Sequence, residues 1–162
     1  MSRLKILAFA AAVLFGLAAP AQAEDKPDSI DAKALECLAL NVYWEARGED
    51  RQGQEAVAHV TLNRVNSDAF PNSICGVVKQ SFTSEEEEKV SCQFSWWCDG
   101  RPDTPADNPV WEKARYIAWA AATGRIADPT NGALYFHHEQ VAPTWIAQLH
   151  HTATIGVHLF YR

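Results

Sequence analysis

The sequence predicts an α+β domain that is mainly helical and ends in a small β-sheet. Apolar residues at three- and four-residue steps predict helices near the start of the domain. Asn108 followed by Pro109 marks a later helix, because asparagine caps helices and proline suits their first position. The segments ALYFHH (133–138) and TIGVHLFYR (154–162) are typical of short strands. Helices therefore come first along the chain and strands last.

The first predicted helix carries a carboxylate in its last turn. It begins near Ile30, with Asp28 or Ser29 as its N-cap. One face of this helix is apolar and consists of Leu35, Leu38, Ala39, Val42 and Ala46. Gly48 is a favourable C′ residue, so the helix ends there and Glu45 lies in its last turn.

A second and a third helix are expected next. Asp50 is the predicted N-cap of the second helix, which runs from about Arg51 to Val65 and is apolar most of the way round. A helix of that kind is usually buried at the centre of a domain. Residues 66–73 have the composition of a turn, and a short third helix is expected from Ile74 to Gln80.

A long loop and a fourth helix precede the predicted strands. Residues 81–107 lack a regular pattern and are expected to form an irregular loop, which its two cysteines keep ordered. The helix that starts at Pro109 extends to about Thr123, and Gly124 ends it. Residues 143–149 predict a short helix between the two strands.

The first 23 residues have the three parts of a secretory signal peptide. Arg3 and Lys5 precede an uncharged, mostly apolar run at 6–19, and Ala-Gln-Ala at 21–23 is a cleavage pattern. The sequence therefore divides into a signal peptide (1–23), a short tail (24–29) and one folded domain (30–162). We expect an exported monomer, periplasmic or extracellular, with no membrane segment after cleavage.

The charge and the tryptophan content restrict the partners of the mature chain. Without the signal peptide its net charge is about −8, which makes nucleic acid an unsuitable partner. The chain contains six tryptophans, and secreted domains that hold sugars use tryptophan faces as platforms. Some of the six must nevertheless belong to the core.

Four cysteines in an exported chain predict two disulfides. Four cysteines allow three pairings, and the sequence alone does not choose between them. Our working prediction is Cys37 with Cys75 and Cys92 with Cys98. Zinc is the alternative, but there is no CxxC pair and the spacing matches no common zinc pattern.

Glu45 is a candidate general acid. The negative end of the helix macrodipole and the apolar surface of Tyr43 and Trp44 both favour a protonated carboxyl group. An acid that stays protonated near neutral pH is what cleavage of a glycosidic bond requires. The alternative is a solvated glutamate at a helix end, paired with Arg47 or Arg51.

Four segments of the sequence carry a resemblance: YWEARGEDRQGQEAVAHVTLNRV, FPNSICGVVKQ, CQFSWWCDG and IGVHLFYR. Together they resemble the cell wall hydrolase family named for the spore-cortex lytic enzyme SleB. This resemblance implies a lysozyme-like catalytic domain at 30–162 that cleaves the glycan strands of peptidoglycan. It also implies that the first glutamate of E-A-R-G-E, Glu45, is the catalytic acid. The four cysteines are a departure from the spore enzymes.

Glu49 is the candidate second carboxylate. A lysozyme-type hydrolase needs a nucleophile or base ~5–9 Å from its acid. Residues four apart share a helix face, but Gly48 is expected to end the helix between Glu45 and Glu49. The structural alternative is a carboxylate bonded to loop amides or to Arg64.

Five further residues are candidates for substrate binding. Gln93 and Ser95 lie between two cysteines, where a disulfide would stiffen the loop, and Trp97 is suited to stacking on a sugar ring. Tyr135 and His137 share one face of a predicted strand and are expected to line a sugar cleft. The alternative for the aromatic residues is core packing.

These residues predict an enzyme that cleaves the MurNAc–GlcNAc β-1,4 bond, with peptidoglycan as its partner and no cofactor or metal. The favoured outcome is a lytic transglycosylase that leaves 1,6-anhydroMurNAc ends, because the sequence offers one well-motivated acid and an uncertain second carboxylate. Hydrolysis by water, with Glu49 or Asp99 as base, is the first alternative. A zinc-dependent amidase and a non-catalytic wall-binding module are the others. The amidase lacks an HExxH motif, and strand alternation sends His137 and His138 to opposite faces.

Overall fold

The computed structural model describes residues 30–84 and 89–162, where it contains four α-helices and two small antiparallel sheets. The predicted signal peptide and tail lie outside the described residues. Within the described ranges, no helix is long and apolar enough to cross a membrane. The predicted α+β class, mainly helical with a terminal sheet, is confirmed.

The first two helices meet at the segment that contains Glu49. Helix α1 spans Ala32–Ala46, and its N-cap is Asp31, which accepts a hydrogen bond from the Lys33 amide at 3.2 Å. The predicted caps, Asp28 and Ser29, were therefore wrong by two or three residues. Helix α2 spans Arg51–Val65 as predicted, and its N-cap Asp50 accepts from the Gly53 amide at 2.8 Å.

The other helices also follow the sequence pattern. Helix α3 spans Ile74–Val78, two residues shorter than predicted, and α4 spans Pro109–Ala122. Asn108 caps α4 by accepting hydrogen bonds from the Val110 and Trp111 amides at 3.0 and 3.1 Å. Two 3₁₀ helices, at Ser95–Cys98 and Thr144–Gln148, complete the helical elements of the described residues.

Part of the predicted irregular loop forms two paired strands, so that prediction was wrong for residues 81–84 and 89–92. Strand β1 (Ser81–Ser84) pairs antiparallel with β2 (Lys89–Cys92) in a register that runs from Ser81 opposite Cys92 to Ser84 opposite Lys89. Strands of four residues are too short to show a clear alternation in the sequence, and their backbone pairing determines them instead.

The terminal sheet has three strands where two were predicted. Strands β3 (Tyr135–His138), β4 (His151–Ile155) and β5 (His158–Tyr161) form an antiparallel sheet in the order β3-β5-β4. The predicted single strand at 154–162 was wrong, because Gly156 turns the chain inside it with a φ of +56°. Glycine at the first central position of a two-residue turn is what a tight hairpin requires.

Helix α2 lies at the centre of the domain, as its apolar circumference predicted. Ala58 packs with Leu38 and Ile117 in the cluster formed mainly by α1 and α4. On another side of α2, Val60 packs with Phe160 of the terminal sheet. The helices and the sheet therefore share one central element.

Two disulfides join neighbouring segments of the domain. Cys37 of α1 is bonded to Cys75 of α3, with the Cα atoms 5.3 Å apart. Cys92, at the end of β2, is bonded to Cys98 in the first 3₁₀ helix, with the Cα atoms 5.8 Å apart. The second bridge encloses Gln93, Ser95 and Trp97.

Candidate active site

Glu45 lies in the last turn of α1 and lines a cleft of about 220 Å³. This cleft is called the Glu45 cleft below. It is formed by the end of α1, the first 3₁₀ helix and the loop that follows it. The lining residues are Trp44, Glu45, Arg47, Ser95, Trp96, Asp99, Arg101, Pro102 and Asp103.

Burial gives Glu45 the character of a weak acid. Loss of hydration raises the pKa of its carboxyl group from 4.5 to about 7, although the positive charge of Arg64 opposes that rise. Near neutral pH the group is therefore partly protonated and able to donate a proton. That matches the general-acid property expected from the sequence, and it arises mainly from desolvation.

Two tryptophans form an aromatic wall of the Glu45 cleft. The rings of Trp44 and Trp96 are stacked, with centroids 6.5 Å apart and an angle of 26° between their planes. The indole N–H of Trp44 donates to the Asp103 carbonyl at 3.2 Å, and that of Trp96 donates to Asn41 Oδ1 at 3.1 Å. Both rings are thus fixed at their polar ends as well as by packing.

The support for Trp96 is a buried polar chain that sequence reasoning missed. Asn41 and Thr61 are both fully buried, and Asn41 Nδ2 donates to Thr61 Oγ1 at 3.0 Å. Thr61 in turn donates to the Val57 carbonyl at 3.3 Å. Buried amides and hydroxyls need such partners, and a satisfied chain holds its members in one orientation. The α1–α2 interface thereby fixes the wall beside Glu45.

Glu49 is held away from the Glu45 cleft. Its carboxylate lies close to Gly53 and Gly156, and its Oε2 atom is 4.0 Å from His158 Nδ1. Arg64, the suggested partner of Glu49, is coupled electrostatically to Glu45 instead. Among the described residues that line the cleft, the carboxylates besides Glu45 are Asp99 and Asp103.

The disulfide-bounded segment supplies some of the predicted residues to the cleft and not others. Ser95 lines the Glu45 cleft, and so does Trp96, another aromatic residue of this segment. Trp97 is half-buried and makes a cation–π contact with Lys79, whose Nζ atom is 4.2 Å from the ring centroid. The Gln93 amide donates to the Gln80 carbonyl at 2.9 Å and joins this segment to the end of α3.

Tyr135 and His137 lie together on one face of β3, as strand alternation predicted. Both rings contact Trp145 of the second 3₁₀ helix, with centroid distances of 5.8 and 5.6 Å. His137 Nε2 is 3.2 Å from the Tyr161 hydroxyl. Trp145 was missed because nothing in its local sequence shows that the short helix folds over the sheet.

His138 faces a different environment from His137. The His138 ring lies 5.8 Å from that of His158, whose pKa is lowered mainly by burial. In residues 30–84 and 89–162, no group of three or more His, Cys, Asp or Glu side chains is placed to hold a metal ion.

Comparison with known proteins gives the family. The family model described as "Cell Wall Hydrolase" matches residues 48–161 of this chain. The chain belongs to the cell wall hydrolase family. The resemblance seen in the four sequence segments is therefore confirmed.

Curated relatives of this chain are named spore cortex-lytic enzymes. The chain is 34% identical over 143 residues to that of Bacillus subtilis (strain 168), which covers 86% of this chain and 41% of that protein. It is 33% identical over 141 residues to that of Oceanobacillus iheyensis, covering 83% and 43%. The chain thus spans about two fifths of the length of these relatives. Coverage of 86% means that the alignment includes α1 and Glu45.

Solved catalytic domains match nearly end to end. The chain superposes on the catalytic domain of the Bacillus cereus SleB protein with a TM-score of 0.65 and 34% identity, covering 84% of this chain and 94% of that one. It superposes equally well, at 33% identity, on the catalytic domain of the germination-specific lytic transglycosylase SleB from Bacillus anthracis, covering 85% and 100%. These matches confirm the lysozyme-like α+β fold.

Proposed function

We propose that the chain cleaves peptidoglycan glycan strands at the MurNAc–GlcNAc β-1,4 bond as a lytic transglycosylase. The observation that carries the proposal is Glu45, a carboxyl group with its pKa raised to about 7 beside an aromatic wall. Supporting it, the solved catalytic domain from Bacillus anthracis is named a germination-specific lytic transglycosylase. Glu45 is the catalytic acid in this proposal.

In the first half of the reaction, Glu45 gives its proton to the glycosidic oxygen. The bond between MurNAc C1 and that oxygen breaks, and the GlcNAc side leaves as an alcohol. Positive charge develops at C1, while Glu45 becomes a carboxylate. A group with a pKa near the working pH is suited to this step, because it is both protonated and able to release the proton.

In the second half, the 6-hydroxyl of the same MurNAc attacks C1. Its proton passes to the Glu45 carboxylate, which restores the acid, and a 1,6-anhydro ring forms without consumption of water. An attacking group within the same sugar has a high effective molarity. One protein carboxylate therefore serves both halves of the reaction.

Hydrolysis is the second candidate, and one observation favours it. Asp99 and Asp103 line the Glu45 cleft, so either carboxylate could activate a water molecule across from Glu45. Glu49 is a weaker candidate base, because its carboxylate is enclosed by two glycines and His158. A lysozyme-type muramidase would then use Glu45 as acid and an aspartate as base.

The proposed glycan-binding surface extends from the Glu45 cleft to the sheet. Ser95, Trp44 and Trp96 line the cleft beside the acid. The ring centroid of Tyr135 lies 5.9 Å from the guanidinium carbon of Arg64. Tyr135 and His137 share the aromatic face of β3 that would extend the surface beyond the cleft. Gln93 and Trp97 remain proposed binding residues at the disulfide-bounded segment.

We also propose that the chain is exported and acts in the periplasm or outside the cell as a monomer. The two disulfides support an oxidising compartment, and peptidoglycan lies outside the cytoplasm.

Digestion of purified sacculi in ¹⁸O-labelled water, followed by mass spectrometry of the products, tests the reaction. We expect anhydro ends without label. ¹⁸O label at a new MurNAc C1 would identify hydrolysis. Glu45 would then keep its role as the acid, and Asp99 or Asp103 would be the base that activates water.

Glu45→Gln tests the acid itself. Glutamine keeps the shape of the side chain but cannot donate the proton, so the folded variant should lose at least ~100-fold in turnover. Glu36→Gln, at an exposed position on the same helix, is the matched control and should retain full turnover. Near-normal turnover by folded Glu45→Gln would refute the assignment and favour a binding module.

A further inference from the structure

Arg64 is a fully buried cation at the end of α2 with only part of its hydrogen-bonding capacity used. Its side chain is 2% exposed, and Nε donates to the Leu134 carbonyl at 2.7 Å. The guanidinium carbon lies 5.0 Å from the ring centroid of Phe70 and 5.3 Å from that of Phe94. Nη1 is buried and makes no hydrogen bond to the described residues.

Burial of a charged group with an unused N–H lowers the stability of the folded chain. A buried charged group with an unsatisfied N–H loses hydration that its neighbours only partly replace. Aromatic faces recover some of that loss by cation–π attraction. The cost to Arg64 is visible in its pKa, which burial lowers to about 10.

The acidic group coupled electrostatically to this cation is Glu45. The Phe94 ring over which Arg64 lies directly precedes Ser95 and Trp96, which line the Glu45 cleft. Near neutral pH the carboxylate of Glu45 favours the charged form of Arg64, and Arg64 favours the carboxylate form of Glu45. The two side chains do not form a close ion pair within the described chain, since no nitrogen–oxygen distance between them is 4.0 Å or less. The coupling therefore acts through space in a poorly hydrated region.

We propose that Arg64 is a positioning residue for the reaction, whose fixed positive charge stabilises the carboxylate that Glu45 becomes after it has donated its proton. This proposal rests on the proposed function, because it assigns Arg64 a part in the same proton transfer. The bond to Leu134 and the rings of Phe70 and Phe94 hold the guanidinium still, so no reorganisation is needed when the charge appears.

The other cations near Glu45 are less suited to this task. Arg47 and Arg101 line the cleft but are exposed, so that water and salt screen their charges. Arg47 is also held over Trp44, with its guanidinium carbon 4.6 Å from the ring centroid. The facing acidic groups, Asp99 and Asp103, oppose a negative charge on Glu45. Arg64 is the fully buried cation among these groups.

The first test is the pH dependence of kcat/KM on soluble glycan fragments for Arg64→Met and Arg64→Lys. The activity requires protonated Glu45, so its basic limb reports the pKa of that group. Loss of the positive charge should move this limb up by about one pH unit and lower the plateau about tenfold. Arg64→Lys keeps the positive charge, so its basic limb should stay at the pH of the unaltered chain and its plateau value of kcat/KM should be close to that of the unaltered chain.

Arg125→Met is the matched control for this comparison. Arg125 also stacks on an aromatic ring, 4.4 Å from the centroid of Trp119, but it is exposed and does not line the cleft. Its removal should change neither the limb nor the plateau. A plateau that falls equally in both Arg64 variants, with an unmoved limb, would show a merely structural role and overturn the proposal.

A second test does not depend on how well the Arg64 variants fold. In ¹⁵N NMR spectra of the unaltered chain, the Arg64 Nε–H resonance should titrate with the midpoint of Glu45, near pH 7, and this titration should vanish in Glu45→Gln. An unchanged titration in Glu45→Gln, or none in either protein, would overturn the coupling.

The NMR result also separates this proposal from the proposed function. If the chain fails to cleave peptidoglycan, the coupling is still measured, but the role in proton transfer falls with the reaction. If cleavage occurs and the coupling is absent, the reaction stands and Arg64 loses its role.

Discussion

Glu45 shows how one physical effect creates reactivity and costs stability at the same residue. Burial makes the carboxyl group a usable acid near neutral pH, because the ionised form lacks hydration there. The same burial penalises the folded state whenever the group must ionise. The unfolded chain has no such penalty, since its glutamate titrates near 4.5. The raised pKa that suits Glu45 to its proposed role should therefore also make the stability of the domain depend on pH.

Glu45→Gln should stabilise the domain in a pH-dependent way. Between about pH 4.5 and pH 7 the folded state holds a proton that the unfolded state releases, so the unaltered chain loses stability as pH rises through this window. Glutamine removes that loss. The stability difference should grow from near zero below pH 4.5 to at most about 3 kcal/mol above pH 7.

Urea unfolding of both proteins at a series of pH values measures this difference. All other titrating groups are common to the two proteins and cancel. A constant offset would arise from altered hydrogen bonds, so only the pH-dependent part is diagnostic. A difference that stays flat between pH 4 and pH 8 would contradict the raised pKa.

At the scale of elements, the junctions rather than the helices place the site. The bridge between Cys37 and Cys75 ties α1 to α3, and the bridge between Cys92 and Cys98 ties the end of β2 to the first 3₁₀ helix. The first bridge closes a loop of 38 residues, which the chain-entropy model values at roughly 3–4 kcal/mol. The second closes a short loop and acts mainly on the position of Ser95.

The turn between β4 and β5 is fitted around Glu49. A Cβ atom added at Gly156 would collide with Glu49 Oε2, and the φ of +56° already disfavours other residues. Gly156→Ala should therefore cost more than Gly124→Ala, since Gly124 has a φ of +70° but open space around it. The colliding atom is the end of the Glu49 side chain, which can rotate away, so the excess should be modest, about 0.5–1.5 kcal/mol of unfolding free energy, the usual cost of a displaced rotamer.

A double-mutant cycle separates the collision from the backbone strain. In a Glu49→Ala background the carboxylate is gone, so Gly156→Ala should cost only as much as Gly124→Ala. Equal costs of Gly156→Ala in both backgrounds would show that Glu49 does not pack against this turn.

Local patterns predicted the helices well because each helix carries its own signals. The caps Asp50 and Asn108 and the apolar faces they precede are visible in the chain itself. The pairing of β1 with β2 and the division of the last strand at Gly156 were missed, since strands of four or five residues give too few alternations to recognise.

The candidate site was predictable from the sequence only where its features are local. The helix-end position of Glu45 is a local property, and the resemblance supplied the role proposed for it. Arg64, Asn41 and Trp145 were missed because their importance depends on partners distant in sequence, such as Leu134 and Trp96. An arginine on a mostly apolar helix is a signal worth testing, because burial of such a residue demands a compensating environment.

At the scale of the whole molecule, α2 joins the helical part and the terminal sheet. It packs against both, and its side chains also bond to the segment that leads into β3. Asn63 Nδ2 donates to the Ala133 carbonyl at 3.1 Å, and His59 Nε2 lies 3.1 Å from the Ile126 carbonyl. With the Arg64 bond to Leu134, two consecutive turns of α2 contact this segment. The terminal sheet therefore depends on its contacts with α2 for its stability.

We predict that residues 30–162 unfold as one cooperative unit. The amides of Ile117 in α4 and Phe160 in β5 should exchange with solvent only through global unfolding, and so report the same free energy. Asn63→Ala should lower both values equally, because the lost bond belongs to the shared structure and not to the sheet alone. Hydrogen exchange measured by NMR decides this. Phe160 exchanging at a lower free energy than Ile117, or responding alone to Asn63→Ala, would show that the sheet opens independently of the helices that carry Glu45.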